Sequence, residues 1–469
     1  MLKSFTILFS LMVIIQEGKT NLYEISEDYL AFLEQCRPTI QENIVSAFNN
    51  EMARNHRRRN FIKTVHLLDS ILLSVDNTKI ELSDLKLPWL PDFKVINLTV
   101  NLVNLCLDIH FKLGDLNVNG NYEANNVTLQ KQLPVSHNGD VSVNFSDVSV
   151  KGKVGLLIQG DSFVPKNYDI DYSWTESEVT VKYFVGKDTQ VESKITGPVG
   201  ELVLADKIWL QLKEVLTSIL HDQLVGVVVE YSVTESLADE DKTLRDYARY
   251  QVSKANGLFD TLLCSAKDYL VEKDYRRIAT SPFQVIYRGK LTSTEQGIFQ
   301  SGDGFITDLS TLSRLSDLSL FEDEHQFHVY GTLGLRDFKH GYEHFSTKFE
   351  DNELTGTINT QIYSNEIFIK LSFEKNAENV PKPKVEKIEV RLIKEAEVDT
   401  SGLGSLSWLI PKTHSWVVGH LRTNVMSNLL KYFEEAFSYA IEQELKKSQS
   451  GEPDNEKSKL FWTFLFSSK

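Results

Sequence analysis

The sequence predicts an α+β chain of two tandem units, each a helix, then a sheet, then one long closing helix. Three observations carry this. The same order of hydrophobic periodicities occurs twice, matched landmarks recur in the two halves, and each half ends on a helix with a wide apolar face. At 469 residues the chain outgrows one ordinary core and suits two domains of about 200 residues. Its composition, 41% hydrophobic and 25% charged, is that of a folded protein.

Taken in order, residues 1–20 read as a signal peptide. Lys3 gives the positive start, residues 5–15 the apolar stretch, and Gly18 and Thr20 the small residues of a cleavage site. A buried N-terminal helix is the plain alternative. The first unit covers 21–233. Tyr29, Phe32, Leu33 and Cys36 begin a helix that Pro38 interrupts, and 61–75 reads as helical or mixed. Leu98, Val100 and Leu102 alternate, the phase slips, and Leu105, Leu107, Ile109 and Phe111 alternate again. That pattern predicts a strand bent by a bulge. Further strands are expected at 116–122, 141–150 and 179–183. Asp206 is the expected N-cap of the closing helix, whose stripe is Trp209, Leu212, Leu216, Ile219, Leu220 and Val227.

The acidic stretch 234–242 reads as a linker, and the second unit, 243–446, repeats the order. A helix-rich segment at 243–277 precedes strands at 328–335, 367–373 and 388–392. The second closing helix carries Leu421, Val425, Leu429, Phe433, Phe437, Ile441 and Leu445. Tyr122 and Tyr342 end glycine-bearing strands at corresponding places. Gly200-x-Leu-x-Leu204 and Gly404-x-Leu-x-Trp408 precede the two closing helices. A sheet with one apolar face tends to wrap a single long helix, and incomplete packing between them leaves an apolar tunnel. The same wide helix faces also read as plain core.

The second half resembles the group 7 dust-mite allergens across 362–446. The likeness lies in the strands at 367–373 and 387–393, the Ser401-Gly-Leu-Gly-Ser-Leu406 turn and the amphipathic closing helix. In the first half, Gly114-Asp-Leu-Asn-Val-Asn-Gly-Asn-Tyr122 and 139–150 are similar to the insect takeout and juvenile-hormone-binding proteins. These groups form one superfamily with the bactericidal permeability-increasing proteins. The resemblance implies that each unit is a long helix wrapped by a curved antiparallel β-sheet around an elongated lipid-accommodating cavity. The paired N-terminal cysteines of the hormone carriers are absent here, where Cys36 stands alone.

Several function classes are disfavoured. A net charge of −15 repels phosphate backbones, so nucleic acid is not an expected partner. The basic run His56-Arg57-Arg58-Arg59 reads as a solvated loop or helix end, with heparin or lipid headgroup contact as the alternative. Gly160-Asp161-Ser162-Phe163 is like one esterase nucleophile block but has no Asp-x-x-His partner near the end of the chain, and a turn is the ordinary reading. His325, His328, His340 and His344 lack clean metal-ligand spacing and read as solvated surface residues. Ser301-Gly-Asp-Gly304 and Gly402-x-Gly404 read as turns. No enzyme activity, metal or cofactor is expected.

The three cysteines, Cys36, Cys106 and Cys264, permit one bridge in an oxidising compartment, with Cys36–Cys106 the expected pair. Sequons at Asn97, Asn126 and Asn144 agree with export. Residues 447–459 form a polar spacer before the apolar tail 460–466. That tail reads as docked on the protein, as a peripheral membrane contact, or as a processed anchor. The expectation is therefore a secreted carrier that reversibly binds a hydrophobic small molecule or lipid, such as a fatty acid, phospholipid or terpenoid. Its expected lining is Leu105, Leu107, Ile109, Phe111, Leu212, Leu216 and Ile219 in one unit. In the other it is Ile367, Ile369, Leu371, Leu421, Val425, Leu429 and Phe433. The alternative is an innate-immune or surface-recognition protein that binds microbial lipid or a protein partner.

Overall fold

A computed structural model describes residues 26–59, 65–75, 78–88, 93–124, 128–129, 133–186, 189–229, 231–237, 241–288, 296–323, 325–374 and 382–450. The expected signal peptide, Asn126 and the apolar tail lie outside them. The first unit opens with α1 (Glu27–Arg59), then β1 (His66–Leu67), β2 (Ile71–Val75), β3 (Thr78–Leu87), β4 (Lys94–Asn101), β5 (Cys106–Ala124), β6 (Thr128–Leu129) and β7 (Leu133–Pro134). It continues with β8 (Asn138–Gln159), β9 (Ser162–Ser173), β10 (Glu176–Val185) and β11 (Thr189–Pro198), and closes with α2 (Val203–Val228). After the short α3 (Val233–Leu237) and the long α4 (Asp241–Glu272), the second unit runs β12 (Arg277–Thr280), β13 (Gln284–Arg288), β14 (Gln296–Ser301), β15 (Gly304–Thr307), β16 (Leu312–Arg314) and β17 (Ser319–Glu322). Its long strands are β18 (Gln326–Leu335), β19 (Phe338–Phe349), β20 (Asn352–Glu374) and β21 (Lys382–Thr400), and α5 (Ile410–His420) and α6 (Met426–Ser450) end it.

Each unit has one large antiparallel sheet, and the first adds the two-stranded β6–β7. The first follows the path β1-β3-β5-β8-β10-β11, with β2, β4 and β9 added beside β3, β5 and β8. The second follows β12-β15-β19-β20-β18-β16, with β14 on β19, β13 on β14, β17 on β18 and β21 on β20. The long strands alternate inward and outward, as in β5, where Leu107, Ile109 and Phe111 are buried between half-buried polar neighbours. Register breaks bend them. The β5–β8 ladder shifts on both sides of Gly114, and β20–β21 shifts at Glu366/Ile367 and Lys370/Leu371. Such bulges give a sheet the curvature to wrap a helix. The fold is thus α+β, two tandem units of long helices against curved antiparallel sheets. Among the described residues, no helix is long and apolar enough to cross a membrane.

Several local expectations are corrected. Pro38 lies inside α1 and does not end it. The helix continues because Leu33, Ile40, Ile44 and Phe48 on either side bury one continuous stripe, which offsets the lost hydrogen bond. The described part of 61–75 is extended, not helical. The phase slip near Leu102 is a hairpin between β4 and β5 rather than one bulged strand. The Asn101 side chain accepts from the backbone N–H of Asn104 at 2.8 Å, and Leu105 takes a left-handed φ of 45° to complete the reversal. Asp206 sits inside the first turn of α2. The N-cap is Leu202, and the Asp206 carboxylate accepts from the Gly200 N–H at 3.3 Å. Of the stretch 234–242, residues 234–237 belong to α3 and 241–242 open α4. Leu244, Tyr247 and Ala248 of α4 belong to the first core, whereas Ala255 to Leu270 of the same helix belong to the second.

The expected Cys36–Cys106 bridge is absent, and all three thiols are free. Cys36 packs at the margin of the first core, on the side reached by Leu107. Strand alternation turns Cys106 to the opposite face of β5, with Asp108. Burial pushes the Cys106 thiol up to about 12, whereas Cys264 is exposed. A thiol-reactive disulfide reagent is expected to modify Cys264 within seconds and Cys106 only after unfolding. Reaction of Cys106 in the native protein as fast as Cys264 would contradict its placement.

Candidate functional site

The two units meet along a junction where the second closing helix passes over the first unit. Gly419 permits the approach. A Cβ added there would lie 2.0 Å from the Ser70 carbonyl oxygen, closer than any side chain tolerates. Two residues later the helix loosens into a π-turn, Leu421–Val425, before continuing as α6. The Thr423 hydroxyl donates back to the Gly419 carbonyl at 2.8 Å. The Thr423 carbonyl instead takes a hydrogen bond from Lys207 Nζ of α2, at 2.7 Å. Insertions of this kind concentrate at functional sites. The Arg422 guanidinium pairs with Asp69. Asn424 donates to the Leu72 carbonyl at 3.4 Å.

Around this turn lies a cleft of about 590 Å³. Leu72, Leu73, Pro282 and Phe283 supply its apolar wall, and Lys79, Gln284, His420, Asn424 and Ser427 its polar rim. Two apolar clusters line it, and another takes the buried side of the π-turn. Leu73 belongs to the first core, Leu421 and Val425 to the second, and Leu72 and Phe283 to a third that also holds Tyr342, Trp416 and Val417. A second junction cleft of about 630 Å³ is charged instead, lined by Asp108, Lys153, Asp169, Asp171, Lys370, Glu386 and Lys387. There Lys370 Nζ lies 2.9 Å from Asp169 and 3.1 Å from Glu386, so its charges are paired across the two units.

Alongside, the Trp416 indole donates to Glu81 at 2.7 Å. Burial pushes that carboxyl up to about 7, against the Trp416 hydrogen bond and the nearby Lys412. Between about pH 4.5 and 7 the folded protein therefore holds a proton that the unfolded chain has released, so stability falls as pH rises across that window. Glu81→Gln keeps the acceptor for Trp416 and removes the charge. Since the residue is half-buried, solvent screens part of the effect. The variant is expected to be more stable than the parent by about 2 kcal/mol at pH 8 and equal to it at pH 4, read from urea midpoints. Parallel midpoints at both pH values would refute the raised carboxyl.

No family model matches this sequence, and no curated protein matches it. Among solved structures, Takeout 1 of Epiphyas postvittana is 16% identical, over 36% of this chain and 81% of that one, with a TM-score of 0.23. A lipopolysaccharide binding protein is 8% identical, over 84% and 89% of the two chains, with a TM-score of 0.16. P47 of Clostridium botulinum E1 is 9% identical, over 79% and 83%, with a TM-score of 0.11.

The structure gathers the expected lining residues into two groups. Leu105, Leu107, Ile109, Phe111, Leu212, Leu216 and Ile219 are buried in the first core. Ile367, Ile369, Leu371, Leu421, Val425, Leu429 and Phe433 are buried in the second. They pack against one another within the two cores, and none of them lines the junction cleft. Asn97 is exposed and Asn144 half-buried. The block at 160–163 forms the β8–β9 turn. There the Asp161 carboxylate, held well below the usual carboxylate range, accepts from Ser232, Thr234 and Arg245 and anchors α3 and α4.

The histidine expectation holds for His325 and His344, which are exposed, and fails for His328 and His340. His328 is buried against Glu386, Nδ1 to Oε2 3.0 Å. His340 is fully buried because it alternates with Phe338 and Tyr342 on the inner face of β19. That alternation is present in the sequence and was the available signal.

Proposed function

We propose that this protein reversibly binds a hydrophobic or amphiphilic small molecule at the junction cleft and does no chemistry on it. The observation that carries the reading is the apolar wall of Leu72, Leu73, Pro282 and Phe283 beside the π-turn of the closing helix. A ligand entering there leaves water for the apolar wall of Leu72, Leu73, Pro282 and Phe283. Burying each methylene is worth roughly 0.8 kcal/mol, so a chain of about twelve contributes about 10 kcal/mol before the entropic cost of association. Affinity on this scale needs no charged recognition and tolerates varied ligands. The apolar stretch at 5–15 and the sequons at Asn97, Asn126 and Asn144 support an exported carrier.

The test is native mass spectrometry of the purified full chain, with organic extraction and lipid identification. Ser427 lines the cleft and is exposed, so Ser427→Trp is expected to plug it without disturbing either core. The parent should carry extractable amphiphile, and the variant should lose it with an unchanged melting temperature. A parent that is empty after expression and takes up no added lipid would end this reading.

A further inference from the structure

Behind the cleft, on the inner face of the second sheet, stands a group of polar side chains that nothing among the described residues satisfies. His340 of β19 is directly opposite Thr360 of β20. The two are 0% and 2% exposed. Both ring nitrogens of His340, the Thr360 hydroxyl and the Tyr342 hydroxyl are buried without a hydrogen-bond partner. The His340 and Tyr342 rings are 5.0 Å apart, Tyr342 is 5.3 Å from Phe283, and Phe283 is 5.1 Å from His420. Phe283 and His420 both line the cleft. The two imidazoles thus bracket an aromatic pair whose outer member is the cleft wall.

The Tyr122 hydroxyl of the first unit is likewise buried without a partner among the described residues, so what sets the second unit apart is His340 and Thr360. Tyr122 of β5 occupies in the first unit the landmark place of Tyr342. Two residues before it stands Gly120, opposite Val141. The second unit carries an imidazole and a hydroxyl where the first carries a hydrogen and an isopropyl group. Buried polar atoms are nearly always paired in native proteins, and a local breach of that rule marks a functional position. We propose that His340, Thr360 and Tyr342 form the head-group anchor of the second unit, taking the uncharged hydroxyl end of a fatty alcohol or similar amphiphile. This rests on the binding function proposed above and adds the ligand's chemical class.

The donor set fits a hydroxyl. A neutral imidazole offers one donor and one acceptor, and the tyrosine and threonine hydroxyls offer both. A carboxylate fits poorly, since the one charged-capable neighbour acting on His340 is the imidazole of His420, and burial holds both rings neutral, His340 down to about 3 and His420 to about 4.

The experiment is displacement of phenylnaphthylamine fluorescence from the full chain by dodecanol, dodecane and dodecanoate at pH 8. Dodecanol is expected to displace at about tenfold lower concentration than dodecane, the gain of one or two new hydrogen bonds. Dodecanoate should show no such gain. His340→Phe and Thr360→Val should each abolish the alcohol preference while leaving dodecane unchanged. If His340→Phe does not melt cooperatively, Thr360→Val, which keeps the side-chain outline, decides. Equal displacement by alcohol and alkane in the parent, or a preference retained in the variants, overturns the anchor and leaves apolar binding standing. If none of the three displaces the dye, the binding function itself falls.

Discussion

Leu429→Asp is expected to unfold the second unit at room temperature. Leu429 is 1% exposed and sits in the second core with Val425, Phe433 and Phe437 along the same face of the closing helix. Truncating such a leucine costs about 2–5 kcal/mol through lost burial and the cavity left behind. An aspartate adds a carboxylate with no partner in an apolar site, which raises the total above about 5 kcal/mol. Domains commonly have about 5–15 kcal/mol in all, so little or nothing remains. Because α4 contributes Leu244 and Tyr247 to the first core and Leu258 to Leu270 to the second, the loss should also weaken the first unit. Leu210→Asp, on an exposed position of α2, is the control and should change stability by about 0.5 kcal/mol or less. Circular dichroism and thermal melting read both. A Leu429→Asp protein that melts like the parent would remove this helix from the interior.

The strands and closing helices were legible because their periodicity is strict. Ile367, Ile369, Leu371 and Phe373 alternate, and all four are buried in the second core. The repeat was legible in part through Tyr122, near the end of β5, and Tyr342, which stands inside β19 rather than at its end, each lying across a glycine. A Cβ on Gly139 would meet the Tyr122 ring at 3.0 Å, and one on Gly304 would meet the Tyr342 ring at 2.7 Å. What the sequence hid is mostly long-range. The cleft takes Leu72, Phe283 and His420 from three distant segments, and no periodicity records their meeting. The π-turn has no residue signature of its own, since it follows from the clearance of Gly419 over Ser70 and the help of Lys207 from the other unit. The hairpin at 101–106 was missed for a local reason. Asn101 and Asn104 are ordinary turn residues, but Leu102, Val103 and Leu105 kept the stretch apolar and disguised the reversal.

The second large effect is on acid stability, and it comes from the same buried imidazoles. An ordinary histidine takes up its proton near pH 6.5, as it does in the unfolded chain, whereas burial lowers His340 to about 3. Below pH 6.5 the unfolded state therefore binds a proton that the folded state refuses. The stability that His340 contributes is fully present above pH 6.5 and is lost as pH falls toward 3. At pH 4 the loss amounts to about 3 kcal/mol, because the ring is fully buried and little solvent screens it. Glu81 and Glu214, both pushed up to about 7, act in the opposite sense over the upper part of this range, so the parent's own pH profile mixes the two. The difference between parent and His340→Phe separates them. A larger ring in that site costs a fixed amount at every pH, whereas the penalty for charging the imidazole disappears. Relative to the parent, the variant is therefore expected to gain about 3 kcal/mol between pH 7.5 and pH 4 in urea midpoints. A constant difference across that range would mean that His340 titrates at its ordinary value, in contact with water.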